Sequence, residues 1–261
     1  MAFSLEEYCS RQKKKEADFL QIIVSGTGQL DWSMLLDVFG DFNLFFAMEK
    51  VFIAKDVPAA KQYFYVCGRL NEVLVKKFND RFLDYGPYRY CYPFLSDDLE
   101  FLRRYADIAY KGDGKNIPDM DELVKEGGMP IYAHCIQMIL KEDWEMLARD
   151  LDILERVTLP KEGGPLNKLD YAFYKAMLAR DKSAVEGVIS QLVSPKIHRQ
   201  QNDDPILSKY ISMPALGYAK LAWLKGIRVE VDSPLVPKEL LPVEPLAHYT
   251  DTYDFLIQNQ Y

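Results

Sequence analysis

Residues 212–226 constrain the fold most, because they predict a helix with almost no face left for water. Ser212 is a good N-cap, and Pro214 stands in the first turn, where its missing N–H group loses no partner. Lys225 and Gly226 mark the end, since a cation suits the last turn and glycine the left-handed position after it. Apolar and small residues recur between these ends at helical spacing: Ala215, Leu216, Ala219, Leu221, Ala222, Trp223 and Leu224. Such a helix needs neighbours on most sides, so we place it at the centre of the C-terminal half.

The segment that follows is extended and rich in proline. Ile227, Val229 and Val231 alternate with polar residues, which predicts a short strand or an extended strap. Prolines at positions 234, 237, 242 and 245 prevent a long helix, and the leucines between them are too apolar for a free tail. We therefore expect a short, extended, proline-rich strap over a helical core, followed by one more helical turn near residues 253–260.

Helix caps divide the rest of the chain. A capping box at Ser4 and Glu7 predicts a first helix that ends near residue 24. Asp31, Asp56 and Ser96 are the predicted N-caps of helices that end near residues 54, 79 and 110. Later helices are expected at residues 130–140, 143–157, 165–179 and 181–193.

A weak internal repeat suggests how these helices pack. Asp56, Asp143 and Asp181 each follow the end of one apolar helix and precede the apolar stripe of the next. We interpret each as the corner of an antiparallel helix hairpin and predict an all-α fold, with hairpins packed as a repeat-like array. Any Asp-capped helix after a short turn gives the same pattern, so that simpler explanation stays open.

Residues 112–122 form the most polar stretch, GDGKNIPDMDE, and are predicted to be a solvated linker. They fail the calcium-loop pattern, because Lys115 and Ile117 occupy ligand positions when counted from Asp113. We expect a single all-helical domain over residues 1–261. A division at this linker into two lobes, 1–112 and 122–261, stays open.

Composition narrows the class of partner. Of the 261 residues, 49% are hydrophobic and 13% aromatic, which is enough for a packed core. The formal net charge of −7 disfavours direct binding of nucleic acid, which needs a basic surface. It suits a basic protein partner, although many proteins carry a mild negative charge for solubility alone.

The four cysteines and the N-terminal residues favour a cytoplasmic protein. No CxxC pair is present, and the first twenty residues lack the apolar run of a signal peptide, so reduced thiols are expected. The most hydrophobic run, residues 32–48, is interrupted by charged and polar side chains, and we expect no membrane span.

The C-terminal third resembles a known family. The segments that carry the resemblance are YAFYKAMLARDKSAVEGVISQLVSPKIHRQQNDD, ISMPALGYAKLAWLKG and VEVDSPLVPKELLPVEPLAHYTDTYDFL. They are similar to the C-terminal signature of bacterial immunity proteins of polymorphic toxin systems, in the family numbered forty-nine, over roughly residues 171–256. The resemblance implies an all-α, non-catalytic protein that binds and neutralises a cognate toxin, often a nuclease. It implies no catalytic residues.

The matching residues of this signature are of the kinds that break, fill or anchor structure. They are Pro214, Trp223, Gly226, Pro237, Leu241, Pro242, Tyr249 and Phe255. Tyr249 and Asp254 are also candidates for contact with a partner.

Catalytic and metal-binding patterns are absent from the sequence. The three histidines are far apart, and His134 and Cys135, as helix neighbours, point about 100° away from each other. There is no HExxH or GxSxG motif. The acidic pair Asp97 and Asp98 is explained by the first turn of the helix predicted after Ser96. We therefore predict no enzyme activity, no cofactor and no metal.

Three polar loops are the predicted partner-binding surface: residues 85–92, 113–121 and 198–204. Their candidate contact residues are Tyr88, Arg89, Asp113, Asp119, Asp121, His198, Arg199, Asp203 and Asp204. Residues 194–205 are expected to be a polar loop longer than a tight turn requires. Its simpler explanation is a connector in which His198 and Arg199 cap the carbonyls of the preceding helix.

The predicted function is that of an immunity protein, which occludes the active site of a basic toxin, most simply a nuclease. The alternative is a helical-repeat adaptor with a groove for an extended peptide. An enzyme would need a pocket with converging titratable groups near His134 or residues 85–92. The oligomeric state is left open.

Overall fold

Helices make up the regular secondary structure of the described part of the chain. The computed structural model describes residues 4–26, 30–85, 88–202 and 204–261, leaving aside the side chains of residues 88 and 89. No strand occurs within those ranges, which confirms the all-α prediction. No helix in them is both long and apolar enough to pass through a lipid bilayer.

The N-terminal helices begin at the predicted caps, with one exception. The elements are α1 Leu5–Ser25, α2 Trp32–Glu49 with a π-helical extension Lys50–Ala54, α3 Val57–Phe78, a 3-10 turn Phe82–Tyr85, α4 Tyr88–Cys91, a 3-10 turn Tyr92–Ser96, and α5 Leu99–Tyr105. The capping box of Ser4 and Glu7 is formed, and Asp31 and Asp56 accept the predicted backbone N–H bonds.

The exception lies at residues 96–98. Asp98, not Ser96, is the N-cap of α5, and the helix ends at Tyr105 rather than near residue 110. Ser96 is fully buried and donates its hydroxyl to the Pro93 carbonyl, because the apolar residues before it draw it into the core. Asp97 is also fully buried, in a left-handed conformation with φ 64°. The prediction that it lies in the first turn of a helix capped by Ser96 is wrong.

The C-terminal part contains the remaining helices. They are α6 Met120–Lys125, α7 Ile131–Lys141, α8 Trp144–Ile153 with a π-helical turn Leu154–Thr158, α9 Leu159–Glu162, α10 Pro165–Leu178, α11 Lys182–Leu192, α12 Pro195–Gln201, α13 Met213–Leu224 and α14 Asp254–Gln258. Residues 194–205 are thus not a loop throughout, because Pro195 starts a helix after the Ser194 N-cap.

Three of the helix corners share one backbone geometry. Lys55, Glu142 and Arg180 are left-handed, with φ of 56°, 61° and 53°. Each precedes an aspartate N-cap whose carboxylate accepts the N–H of the residue three positions on, at 3.0 Å in each case. The weak repeat therefore corresponds to a recurrent corner between consecutive helices α2–α3, α7–α8 and α10–α11.

Helix α13 is enclosed, as predicted. Every residue from 213 to 222 is buried. The Tyr218 ring stacks on Phe173 of α10 at a centroid distance of 3.9 Å. Gly217 faces α4 so closely that a Cβ there would collide with Cys91. Glycine at this position is therefore required by helix packing.

The strap, residues 227–246, follows α13 without helix or strand over residues 227–233. Ile227, Val229 and Val231 are buried and alternate with exposed polar residues. The Trp223 ring N–H donates to the Val229 carbonyl at 3.0 Å, which ties the strap to the end of α13.

A buried ion cluster joins the strap to both halves of the chain. Asp97 Oδ1 lies 2.5 Å from Lys220 Nζ of α13, and Asp97 Oδ2 lies 2.9 Å from Lys61 Nζ of α3. Lys220 also donates to the carbonyls of Leu240, Leu241 and Pro242 at 2.8–3.2 Å. The two ammonium groups are therefore stabilised by one carboxylate and by backbone carbonyls of the strap.

Residues 247–261, the C-terminal tail, continue from the strap and pack on the N-terminal helices. Arg69 of α3 pairs with Asp251 at 3.0 Å, and the Tyr253 hydroxyl donates to Glu16 of α1 at 2.5 Å. Phe255 contacts Phe39 of α2 at a ring distance of 5.2 Å. The tail thereby completes an apolar cluster formed mainly by α2 and α3.

Candidate partner-binding cleft

A cleft of about 640 Å³ opens between α1, α2 and residues 201–213. The N-terminal helices supply one wall, and the end of α12 with the segment leading to α13 supplies the other. Its apolar lining consists of Phe19, Val38, Phe42, Leu44, Phe45, Leu207, Ile211 and Met213. Its polar lining consists of Tyr8, Gln12, Lys15, Asp41, Tyr92, Gln201, Asn202, Asp204 and Ser208.

Local hydrogen bonds fix the wall formed by residues 201, 202 and 204–213. Asn202 donates to the His198 carbonyl at 2.9 Å and accepts the Met213 N–H at 3.1 Å. The His198 ring Nε2 lies 2.7 Å from the Ser208 carbonyl oxygen. Asp204 accepts the N–H groups of Ile206 and Leu207 at 2.8 and 2.7 Å. These bonds hold an irregular segment in a defined shape.

Gln201 is the unusual residue of this wall. The residue is part of the cleft lining and is 9% exposed, but its amide oxygen and nitrogen are themselves buried. Neither its amide oxygen nor its amide nitrogen has a hydrogen-bond partner among the described residues. A buried amide without partners is unfavourable by about 1–3 kcal/mol, so it calls for an explanation.

The carboxylates of Asp41 and Asp204 both influence the pKa of Tyr8, which lines the cleft. The pKa of Tyr8 is raised, first by burial and then by the negative charges of Asp204 and Asp41, whereas the neighbouring Gln12 side chain acts in the opposite direction. Asp41 belongs to α2 and Asp204 to the opposite wall. The cleft lining therefore contains the carboxylates of Asp41 and Asp204 and the ammonium group of Lys15.

Of the predicted contact residues, Asp204 lies in the cleft and His198 lies behind its wall. The His198 ring faces Ser208, and Arg199 donates to the Pro195 carbonyl of its own helix at 3.0 Å. The simpler explanation, that both cap the preceding helix, is therefore wrong within the described residues. Asp203 lies outside the described residues.

Among the remaining predicted contact residues, Asp113, Asp119 and Asp121 do not line the cleft. Tyr88 and Arg89 belong to α4, and their side chains are outside the description. The Asp113 carboxylate accepts three N–H groups of its own loop, from residues 115, 116 and 117. Asp119 is the N-cap of α6 and accepts the Gly112 N–H, and Asp121 is exposed in the first turn. Whether these residues contact a partner stays a prediction.

Sequence reasoning missed Gln12 and Gln201. Gln12 is 6% exposed on the inward stripe of α1, at helical spacing from Leu5 and Cys9. A glutamine in an apolar stripe is a signal that could have identified it. Gln201 stands in a polar run, QQNDD, where nothing in the sequence sets it apart.

A second group of titratable side chains lies between α7 and α8. His134 Nδ1 contacts Asp150 Oδ2, and Asp150 is fully buried and paired with Arg149 at 2.8 Å. Within the described residues no group hydrogen bonds to the other ring nitrogen of His134, and no cluster of three histidine, cysteine or acidic side chains could hold a metal. The pair ties α7 to α8.

Comparison with known proteins gives one match. Residues 148–240 match the family model described as Immunity protein 49, which confirms the resemblance stated from the sequence. The match begins before residue 171 and ends before the C-terminal tail. It contains the Gln201–Met213 wall of the cleft but not the wall from α1 and α2. No curated protein and no solved structure matches the chain.

Proposed function

We propose that this protein is an immunity protein that binds and neutralises a cognate bacterial toxin and so protects the cell that produces both. The match of residues 148–240 to the immunity protein family is the observation that carries the proposal. Such a protein acts in the cytoplasm of the producing cell, where the toxin would otherwise reach its target.

The toxin is basic and of nuclease type. A nuclease needs positive charge around its active site in order to hold phosphate groups. The net charge of −7 on this chain is complementary to such a surface, and complementary charge accelerates association.

Neutralisation proceeds by occlusion of the toxin active site, with one immunity protein per toxin and no turnover. Occlusion requires a preformed surface rather than reacting groups. The cleft supplies one, because its irregular wall is fixed by internal hydrogen bonds and its opposite wall by two long helices.

Co-expression with the product of the gene immediately upstream tests the proposal. The expected result is rescued growth and a one-to-one complex that elutes together in size-exclusion chromatography. Toxicity without rescue, together with separate elution, would overturn it. The adaptor function would then be the one to test, with extended peptides as ligands.

A further inference from the structure

We propose that the buried oxygen cage around Lys220 is a monovalent-cation site occupied by the chain's own ammonium group, and that it takes a free ammonium or potassium ion when that group is removed. The cage consists of the Asp97 carboxylate and the backbone carbonyls of Leu240, Leu241 and Pro242. The inference goes beyond the proposed function, because it concerns how the strap is held to the helices and not what the protein binds.

The first step is the number of oxygens around Lys220 Nζ. The three strap carbonyls lie at 2.8–3.2 Å and accept the three N–H groups that an ammonium group has. Asp97 Oδ1 is the closest oxygen, at 2.5 Å, yet among the described residues it has no hydrogen-bond partner. Its contact with Nζ is therefore that of an ion pair without a directed hydrogen bond. A cation of similar size can make the same contact without being attached to the chain.

The second step is the lack of other donors for these carbonyls. Leu240 ends a 3-10 turn, Lys238–Leu240, and the last carbonyls of such a turn have no partner within it. Pro242 and Pro245 supply no N–H group to which a neighbouring carbonyl could bond. The prolines of the strap thus leave its carbonyls to be satisfied by a positive charge, and Lys220 supplies that charge in the fully buried centre of the fold.

The third step is the support of the cage by groups other than Lys220. Asp97 Oδ2 lies 2.9 Å from Lys61 Nζ and accepts the Glu244 N–H at 3.1 Å. Lys61 in turn donates to the Glu244 carbonyl at 2.7 Å. These contacts fix the carboxylate and the strap just beyond residue 242, so the oxygens keep their places when the Lys220 side chain alone is shortened.

The distances and the charge balance select the class of ion. Ca²⁺ and Mg²⁺ bind oxygen at about 2.3–2.6 Å and about 2.0–2.1 Å, closer than the carbonyls of this cage lie to Nζ. Lys61 already balances the charge of Asp97, so a divalent ion would leave two uncompensated charges in the core, whereas a monovalent ion leaves one, as Lys220 does. Backbone carbonyls replace the hydration shell of K⁺ in potassium channels, and the cage offers the same type of oxygen.

Lys220→Ala tests the site in the full chain, because alanine favours the helix and leaves room for an ion beside the oxygens. Thermal unfolding is measured in ammonium, potassium and tetramethylammonium chloride, each at about 0.3 M. The last cation is too large for the cage, and equal ionic strength gives equal screening. The wild type is one control. Lys225→Ala is the matched control, since the ammonium group that it removes contacts one carbonyl, of Leu140, and the Glu142 carboxylate.

We expect ammonium or potassium chloride to raise the Tm of Lys220→Ala by about 3 °C or more relative to tetramethylammonium chloride. The same salt slows hydrogen exchange in residues 238–246 of this variant, where a bound ion would hold the carbonyls. The wild type and Lys225→Ala show neither difference. An equal Tm of Lys220→Ala in all three salts would overturn the site, because water or collapse of the strap would then replace the ammonium group.

Two further outcomes cover a variant that folds poorly. Recovery of the fold of Lys220→Ala in ammonium or potassium chloride alone supports the site, and failure to fold in all three salts overturns it. The wild type gives an independent readout, since the Lys220 ammonium protons, held by three carbonyls, are expected to exchange slowly enough for ¹⁵N–¹H NMR correlations at mildly acidic pH. Rapid exchange of these protons with water would overturn the cage itself.

Discussion

Lys220 has a charged group enclosed in the centre of the molecule, where charge is expensive unless it is paired. Burial is the largest influence on it and lowers its pKa to about 8, although Asp97 acts in the opposite direction. The sequence hides this pairing, because Lys220 stands in an apolar helix, Asp97 resembles a helix cap, and nothing local connects the two. The buried glutamines differ in how far the sequence reveals them. Gln12 interrupts an apolar helical stripe and can be recognised, whereas Gln201 stands in a polar run and cannot.

The lowered pKa of Lys220 predicts a pH dependence of stability. Its pKa is about 8 in the folded state against an ordinary 10.5, so the unfolded chain binds more protons between these values and stability from this group rises with pH. We expect the free energy of unfolding of the wild type, minus that of Lys220→Met, to rise by about 2 kcal/mol from pH 8 to pH 10. Denaturant unfolding at each pH measures it. Buried tyrosines act oppositely in both proteins and cancel in the difference, and a flat difference would contradict the prediction.

The raised pKa of Asp170 predicts a pH dependence of stability opposite in sign to that of Lys220. Burial raises its pKa to about 7, partly offset by the Tyr218 hydroxyl that donates to it at 2.6 Å. Stability from this group is complete below about pH 4 and is lost as the pH rises through 7. Asp170→Asn keeps an acceptor for Tyr218 and cannot ionise. We expect it to be about 3 kcal/mol more stable than the wild type at pH 8 and nearly equal at pH 4, as measured by thermal and urea unfolding.

At the scale of elements, most helices could be predicted because their caps are local. Asp31, Asp56, Asp143 and Asp181 stand where the chain must end one helix and start another. The errors occur where burial overrides the local signal. Ser96 and Asp97 are drawn into the core by their apolar neighbours, and residues 195–201 form a helix although their composition is that of a loop.

The shared corner predicts a stabilising substitution. Lys55 is exposed and left-handed at φ 56°, a conformation that is unfavourable for residues with a Cβ and neutral for glycine. Lys55→Gly is expected to raise the free energy of unfolding by about 1 kcal/mol, which differential scanning calorimetry can detect. Lys55→Ala keeps the Cβ and is the control, with no gain expected. Equal effects of the two substitutions would show that the backbone angle is not the cause.

At the scale of the whole molecule, the C-terminal tail forms one apolar cluster with α2 and α3. Tyr253 and Phe255 pack on α2, and the Asp251 carboxylate pairs with Arg69 of α3. The sequence predicted a strap over the helical core and a last helical turn near residues 253–260, but it could not show which helices they would cover, because such contacts depend on the assembled fold. The division into two lobes, 1–112 and 122–261, remains a prediction, and these contacts allow a direct test of it.

Phe255→Ala is that test. Removing a ring that is 2% exposed is expected to lower the free energy of unfolding by about 4 kcal/mol, with Phe255→Leu costing about 1 kcal/mol. Hydrogen exchange locates the loss, which we expect to be greatest in α2 and α3 although the substitution is near the C-terminus. Faster exchange limited to residues 247–261, with α2 unchanged, would show that the tail is a separate unit.

The carbonyls of residues 240–244 that surround Lys220 and Lys61 also determine when the N-terminal helices can complete their contacts during synthesis. The ribosome makes α1–α3 before the carbonyls that hydrogen bond to the buried cations of α3 and α13, and before the rings that cover α2. At about 5–20 residues per second, α3 waits roughly 10–40 s for them. A chain that stops before residue 240 therefore lacks the partners of both buried cations in the strap and the rings that cover α2.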